Sequence, residues 1–188
     1  FIRNRKTGRP HSIKMNVRLC RRLGIDEAEC WWGKVLVFDA LIGNTDRHPE
    51  NWGTLIRQVP DAEPQCAMAP AFDNGTSLGY EILDYNLPKI GDGSWFEKYL
   101  SRGTHHCGWD TRNNKGLPHF ELCGRFAQRF PAAGEAMKNV ILFDEAAIEM
   151  ILGHCTAVQT HERLSGERAT FIAKLLTARR RELERVLL

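Results

Sequence analysis

The chain has 188 residues, 43% of them apolar and 26% charged, with a net charge of +3. That length holds one domain with a real core, and so mild a charge gives no ground for a nucleic-acid or membrane-surface role. No apolar run approaches the ~20 residues of a membrane-crossing helix, and no leader pattern opens the chain.

Residues 1 to 14 are polar and basic with two breakers, Gly8 and Pro10, and read as a flexible lead-in, with residues 1–24 as the exit from a missing upstream lobe. Lys6-Thr7-Gly8 lacks the glycine spacing of a phosphate cradle. A short basic helix over 16–24 should stop at Gly24. Asp26, with Glu29 three positions on, then predicts an N-cap and capping box. From there Trp31, Val35, Phe38 and Ile42 recur at helical spacing, which predicts a helix buried along that stripe that delivers the chain to Gly43. Its tryptophans read as core.

Beyond it, 52–57 reads as a strand, 58–65 as a hairpin loop with two prolines, and 66–72 as a returning strand made an edge by Pro70. Residues 75–118 are rich in Gly, Asn, Asp and aromatics without a sustained period, longer than an idle connector. Thr76, Ser77, Ser94, Ser101 and Thr104 are candidate phosphosites there, and His105-His106-Cys107 invites a metal reading that lacks a second ligand pair at proper spacing. From Pro118 the chain reads helical: Pro118 in a first turn, Asp144 capping a helix to Gly153 with Ile148, Ile151 and Leu152 inward, and Ser165 capping the last helix. In that helix Ile172, Leu175, Leu176, Leu183 and Val186 should face the core, and Arg179-Arg180-Arg181 a solvated side. Six scattered cysteines without a Cys-x-x-Cys pair fit a reducing cytoplasm better than a disulfide framework.

The chemistry concentrates in Gly43-Asn44-Thr45-Asp46-Arg47-His48-Pro49-Glu50-Asn51 and in Ala71-Phe72-Asp73-Asn74-Gly75. Asp46 and Asn51 stand five apart, after an apolar helix and before a strand, and a second acid, Asp73, comes about twenty residues on. Phosphoryl transfer from ATP needs a carboxylate to take the hydroxyl proton and an Asn–Asp oxygen pair for Mg²⁺. The spacing Asp, four residues, Asn, then a later Asp is that of a kinase catalytic loop and its metal segment.

The first stretch resembles the catalytic loop of HipA-like serine/threonine kinases, and Asp73-Asn74-Gly75 resembles that family's metal-binding segment. The resemblance covers roughly residues 25 to 80 and implies roles: Asp46 as catalytic base, Asn51 and Asp73 as magnesium ligands, His48 as a loop residue near the nucleotide, Asn44 and Arg47 as braces. It implies an α+β, mostly α fold, a protein-kinase-like C-terminal lobe over 25–188 with a small β-ribbon at the active-site mouth. Within it lie a catalytic loop at 43–52, a metal-ligand segment at 71–75, an activation-like segment at 75–118 and a helical remainder at 118–188. Cofactors would be ATP and Mg²⁺. Partners would be a protein substrate and an N-terminal lobe or antitoxin-like chain, with no nucleic acid and no membrane, in a cytoplasmic toxin kinase. The 45 residues before Asp46 contain neither a phosphate-covering loop nor its strand lysine, since Lys34 lies on the predicted helix. A lipid kinase shares the Asp-Arg-His loop, and a pseudokinase or binding module would keep the fold without transfer. A metal-dependent hydrolase using His105 and His106 is the remaining alternative.

Overall fold

The helix that delivers the chain to Gly43 is buried nearly all round. In the computed structural model, which describes residues 11–91, 93–113, 115–161 and 163–188, this helix (α2) runs Ala28–Ile42. Ala28, Trp32, Gly33, Val35, Leu36, Val37, Asp39, Ala40 and Leu41 are buried on it, while Trp31, Phe38 and Ile42 are only half-buried. The single-stripe expectation is therefore wrong: a helix apolar on every side is wrapped on every side. Around it pack α1 (Ile13–Arg22), α4 (His119–Arg129), α5 (Gly134–Asn139) and α7 (Gly166–Leu187). Gly33 permits the close approach of α5, since a Cβ there would lie 2.7 Å from Met137 Cγ. Asp26 does not cap this helix; Glu27 holds the N-cap position and makes no side-chain cap bond.

Residues 11–14 are not a flexible lead-in, and the helix expected over 16–24 is present as α1, starting three residues earlier at Ile13. Ile13, Val17 and Cys20 put one face of α1 into the core, and Ser12 bridges to Gly108, while residues 1–10 of that expectation lie outside the described residues. α1 ends with Gly24 in the left-handed region, where the sequence placed the stop.

Two short strands, β1 (Thr54–Arg57) and β2 (Gln65–Met68), form an antiparallel ribbon in the register Thr54↔Met68 to Arg57↔Gln65. It is pinned to α2 by tryptophans: Trp31 Nε1 donates to the Ala69 carbonyl at 3.1 Å, and Trp52 meets Trp32 edge-on at 4.8 Å. The ribbon joins the loop of residues 43–51 to the Asp73 segment.

The long segment after Asp73 holds more structure than its composition suggests. A 3₁₀ stretch (Asp84–Gly91) leads into α3 (Gly93–Ser101), and Ile82, Leu87 and Phe96 pack on Phe171, Ile172 and Leu175 of α7 as a second core. α4 starts one residue after Pro118, which takes the N-cap position. Asp144 caps α6 (Glu145–Ala157) by accepting from the Ala146 N–H, and Ser165 caps α7 by accepting from the Arg168 N–H. α6 runs past Gly153, and Ile151 on it is exposed. On α7, Ile172, Leu175 and Leu183 are buried as expected, but Val186 is exposed and Arg179 is buried. All six cysteines are free thiols. Among the described residues no helix is long and apolar enough to cross a membrane.

Candidate active site

Gly43 closes α2 in the left-handed region, at φ +73°, and turns the chain sharply into the loop. Asn44 then organises the loop around itself. Its Nδ2 donates to Asp39 Oδ1 at 3.1 Å, while its Oδ1 accepts from the Asp46 N–H at 3.0 Å and the Thr76 hydroxyl at 2.8 Å. One buried carboxamide thus joins the helix, the Asp46 peptide and the segment beyond Asp73.

Arg47 performs the larger bridging task. It is 3% exposed and pairs with Asp39 through both oxygens, at 3.0 and 2.7 Å. Its Nη1 also donates to the carbonyls of Asn51, at 3.0 Å, and Phe72, while Nη2 reaches Asn74 Oδ1 at 2.6 Å. Two carbonyls on one nitrogen place the Asn51 peptide beside the peptide that leads into Asp73. The bracing expected of Asn44 and Arg47 is what these bonds do. Asp39, on which both converge, escaped the sequence reading because an acid inside an apolar helix carries no motif. Burial pushes its carboxyl above the ordinary range, partly offset by Arg47 and Asn44.

Asn51 is 3% exposed and turns its Nδ2 onto the Asp46 carbonyl at 2.8 Å, which leaves its Oδ1 as the oxygen to meet a cation. Asp46 is half-buried and Asp73 exposed, so both carboxylates border solvent. Asp73 is held at φ +53°, in the left-handed region that few side chains adopt. His48 accepts the Glu50 N–H on Nδ1 at 3.1 Å and lies edge-on to His106, a placement that shapes the loop.

Behind the loop sits a layer that sequence reasoning missed. His119 Nε2 lies 2.9 Å from the Asn44 carbonyl, and Arg179 Nη1 donates to His119 Nδ1 at 3.1 Å and to the Ala40 carbonyl at 2.8 Å. Since Arg179 can only donate, His119 carries its proton on Nε2 and gives it to Asn44. Burial holds His119 well below its usual range, which keeps this neutral tautomer. The run Arg179-Arg180-Arg181 was expected on a solvated face, but Arg179 lies on the same helical row as the buried Leu175 and Leu183, four residues to either side. That row was the available signal.

The His105-His106-Cys107 run does not form a metal centre. His105 lies edge-on to His119, with its Nε2 3.9 Å from Cys123 Sγ. Burial drops His105 to about 3 and raises the Cys107 thiol to about 12, so neutral groups are packed together. Among the described residues no three His, Cys, Asp or Glu side chains gather as a metal site.

No protein-family model and no curated protein matches the chain. Among solved structures it is similar to a Helicobacter pylori proinflammatory kinase, CtkA, at 21% identity with a TM-score of 0.55, over 85% of this chain and 54% of that one. The fold is kinase-like. The chain spans about half the length of that solved kinase (54%). Within the kinase-like fold the mostly helical body and two-stranded ribbon stand as expected from sequence.

Proposed function

We propose that the chain is the catalytic-loop lobe of a HipA-like kinase that moves the γ-phosphoryl group of ATP to a serine or threonine hydroxyl of a protein. The observation that carries this reading is the Arg47 guanidinium, which bonds the Asn51 carbonyl, the Phe72 carbonyl and Asn74 at once. It fastens the loop of Asp46 and Asn51 to the segment of Asp73.

Asp46 takes the proton of the acceptor hydroxyl as it attacks, a task typically worth 10²–10⁴-fold, roughly, to a positioned base. Asn51 Oδ1 and the Asp73 carboxylate would hold Mg²⁺, for which one or two protein oxygens suffice. The donor set fits: both are hard oxygens, and Asn51 already has its nitrogen turned to the backbone. The bound cation supplies charge neutralisation on the phosphoryl oxygens. His48 keeps the turn between base and ligand. A phosphate-covering loop and strand lysine would come from an N-terminal lobe, upstream or on a separate antitoxin-like chain, in the cytoplasm.

Radiolabelled phosphotransfer tests the assignment. The protein, combined with its complementing lobe, ATP and Mg²⁺, should label its acceptor, and Asp46→Ala and Asp73→Ala should each lower the rate by about 10²-fold or more. Equal labelling by all three proteins refutes the catalytic roles and favours a non-catalytic binding module.

A further inference from the structure

A cavity of about 270 Å³ opens beside the catalytic loop. Thr45 and Thr76 line it from the two loops, Arg102 and Arg179 from α3's end and α7, and the exposed Tyr80 and Glu81 complete it. Thr45 is the neighbour of Asp46, so whatever fills the cavity lies next to the proposed base.

Arg179 is the informative wall. It is 2% exposed, yet its bonds go to neutral groups, the Ala40 carbonyl and the His119 ring. Its Nε has no hydrogen-bond partner among the described residues. Burial lowers the guanidinium to about 10, so it stays cationic at neutral pH. Buried charges are ordinarily paired. Arg102 adds a second, exposed cation, and the one carboxylate of the lining, Glu81, accepts the Tyr99 hydroxyl at 2.9 Å. Two guanidinium groups and four hydroxyls, of Thr45, Thr76, Tyr80 and Tyr99, thus meet a single carboxylate that Tyr99 already engages. A guanidinium fork with open donors matches the paired oxygens of a carboxylate or phosphate.

We propose that this cleft takes an anionic group of the phosphoryl acceptor, a carboxylate or phosphate beside the target hydroxyl, on Arg102 and Arg179. The acceptor assignment rests on the kinase reading of the loop; the anion site does not. The ligand sits one relay from the base. Arg179 holds His119, His119 holds the Asn44 carbonyl, and Asn44 Oδ1 accepts the Asp46 N–H. An anion on Arg179 therefore seats the acceptor against the wall that also fixes Asp46.

The test has two arms. Inorganic phosphate is titrated into the isotope-labelled chain at fixed ionic strength, and amide shifts are tracked by NMR. Saturable shifts at Gly43, Thr45, Thr76 and Gly103, weakened about tenfold in the exposed-site variant Arg102→Gln, are the expected result. Unsaturable drift, or shifts that the substitution leaves alone, overturns the site. In the second arm the protein with its complementing lobe phosphorylates three serine peptides bearing Glu, phosphoserine or Gln beside the target. Glu or phosphoserine should raise kcat/KM about tenfold over Gln, and Arg102→Gln should bring that ratio to about one. A gain for phosphoserine alone names phosphate as the partner, and a gain for both names any anion. Equal kcat/KM for the three peptides overturns the acceptor assignment. Phosphate binding with no transfer to any peptide overturns the kinase reading and the acceptor assignment together, while the anion site stands on the first arm.

Discussion

Arg47→Met is the most searching perturbation of the site, because its cost derives from partners already described. The pair Arg47–Asp39 has side-chain exposures of 4% and 0%. Removing one member of such a pair leaves the other charge buried alone, a loss of about 3–5 kcal/mol. The buried carbonyl of Asn51 loses its donor as well, at roughly 1–3 kcal/mol for an acceptor left unsatisfied, whereas the carbonyl of the exposed Phe72 can turn to water. Against a typical domain stability of about 5–15 kcal/mol this removes a large share. Adding Asp39→Leu to Arg47→Met deletes the stranded carboxylate and should restore about 2–4 kcal/mol, but not the two carbonyl contacts. The pH dependence has a definite sign. Asp39 is raised in the folded state, by burial first. A raised carboxyl stabilises below its unfolded value, and that contribution is lost as pH rises through the folded value. Arg47 lowers Asp39, so its removal raises the carboxyl further, and the deficit of Arg47→Met should be greatest near neutrality and shrink on acidification. Urea denaturation of the parent, both single variants and the double variant, at two pH values, measures all of this. A loss below about 1 kcal/mol for Arg47→Met, or a deficit that grows on acidification, refutes the buried-clamp reasoning.

Other outcomes can be read the same way. Gly43→Ala should cost about 1–2 kcal/mol in denaturant unfolding, since its φ is +73° and its Cβ would stand 3.2 Å from the Arg179 guanidinium. Asp144→Ala and Ser165→Ala should each cost about 1 kcal/mol, as each oxygen accepts a first-turn N–H, and phosphotransfer by either variant should match the parent. Acid should unfold the protein early: burial lowers His11 to about 4 and His105 to about 3, and holds His119 well below its usual range. A lowered histidine stabilises above its unfolded value of about 6.5 and loses that contribution as pH falls, at up to about 1.4 kcal/mol per pH unit for each ring. His11→Gln should flatten the fall of stability below about pH 6, and an unchanged slope would count against it.

The parts of this site that were legible in the sequence share one property: they are written contiguously. Asp46, Asn51 and their turn residues occupy nine positions, and the ribbon that returns the chain to Asp73 comes at once. N-caps are equally local, and two of them, Asp144 and Ser165, stood where their residue type put them. Helix faces were legible only where the helix has a wet side. α2 has almost none, so its periodicity held no direction to read. α1 was legible as a helix that stops at Gly24, but basic residues hid its start and its apolar face of Ile13, Val17 and Cys20. α3 was hidden by a glycine- and asparagine-rich context, though Trp95, Phe96, Tyr99 and Leu100 recur three to five apart.

Contacts across the fold leave a fainter trace. Asn44 and His119 stand 75 positions apart, and His119 and Arg179 stand 60 apart. No spacing rule joins them, yet the buried charges interrupt otherwise apolar helix positions. Arg179 falls between Leu175 and Leu183, and Asp39 between Val35 and Ala40, all buried. A charge that interrupts a core stripe must be neutralised by something, and the something is what a sequence omits. For Asp39 the answer is Arg47, one turn and a loop away, and the product is a clamp on two loops. For Arg179 the described chain supplies hydrogen bonds to a carbonyl and an imidazole and, from the cleft wall, the charge of Glu81, whose carboxylate already accepts the Tyr99 hydroxyl; the direct ion partner is what would enter the cleft beside Asp46 with the acceptor.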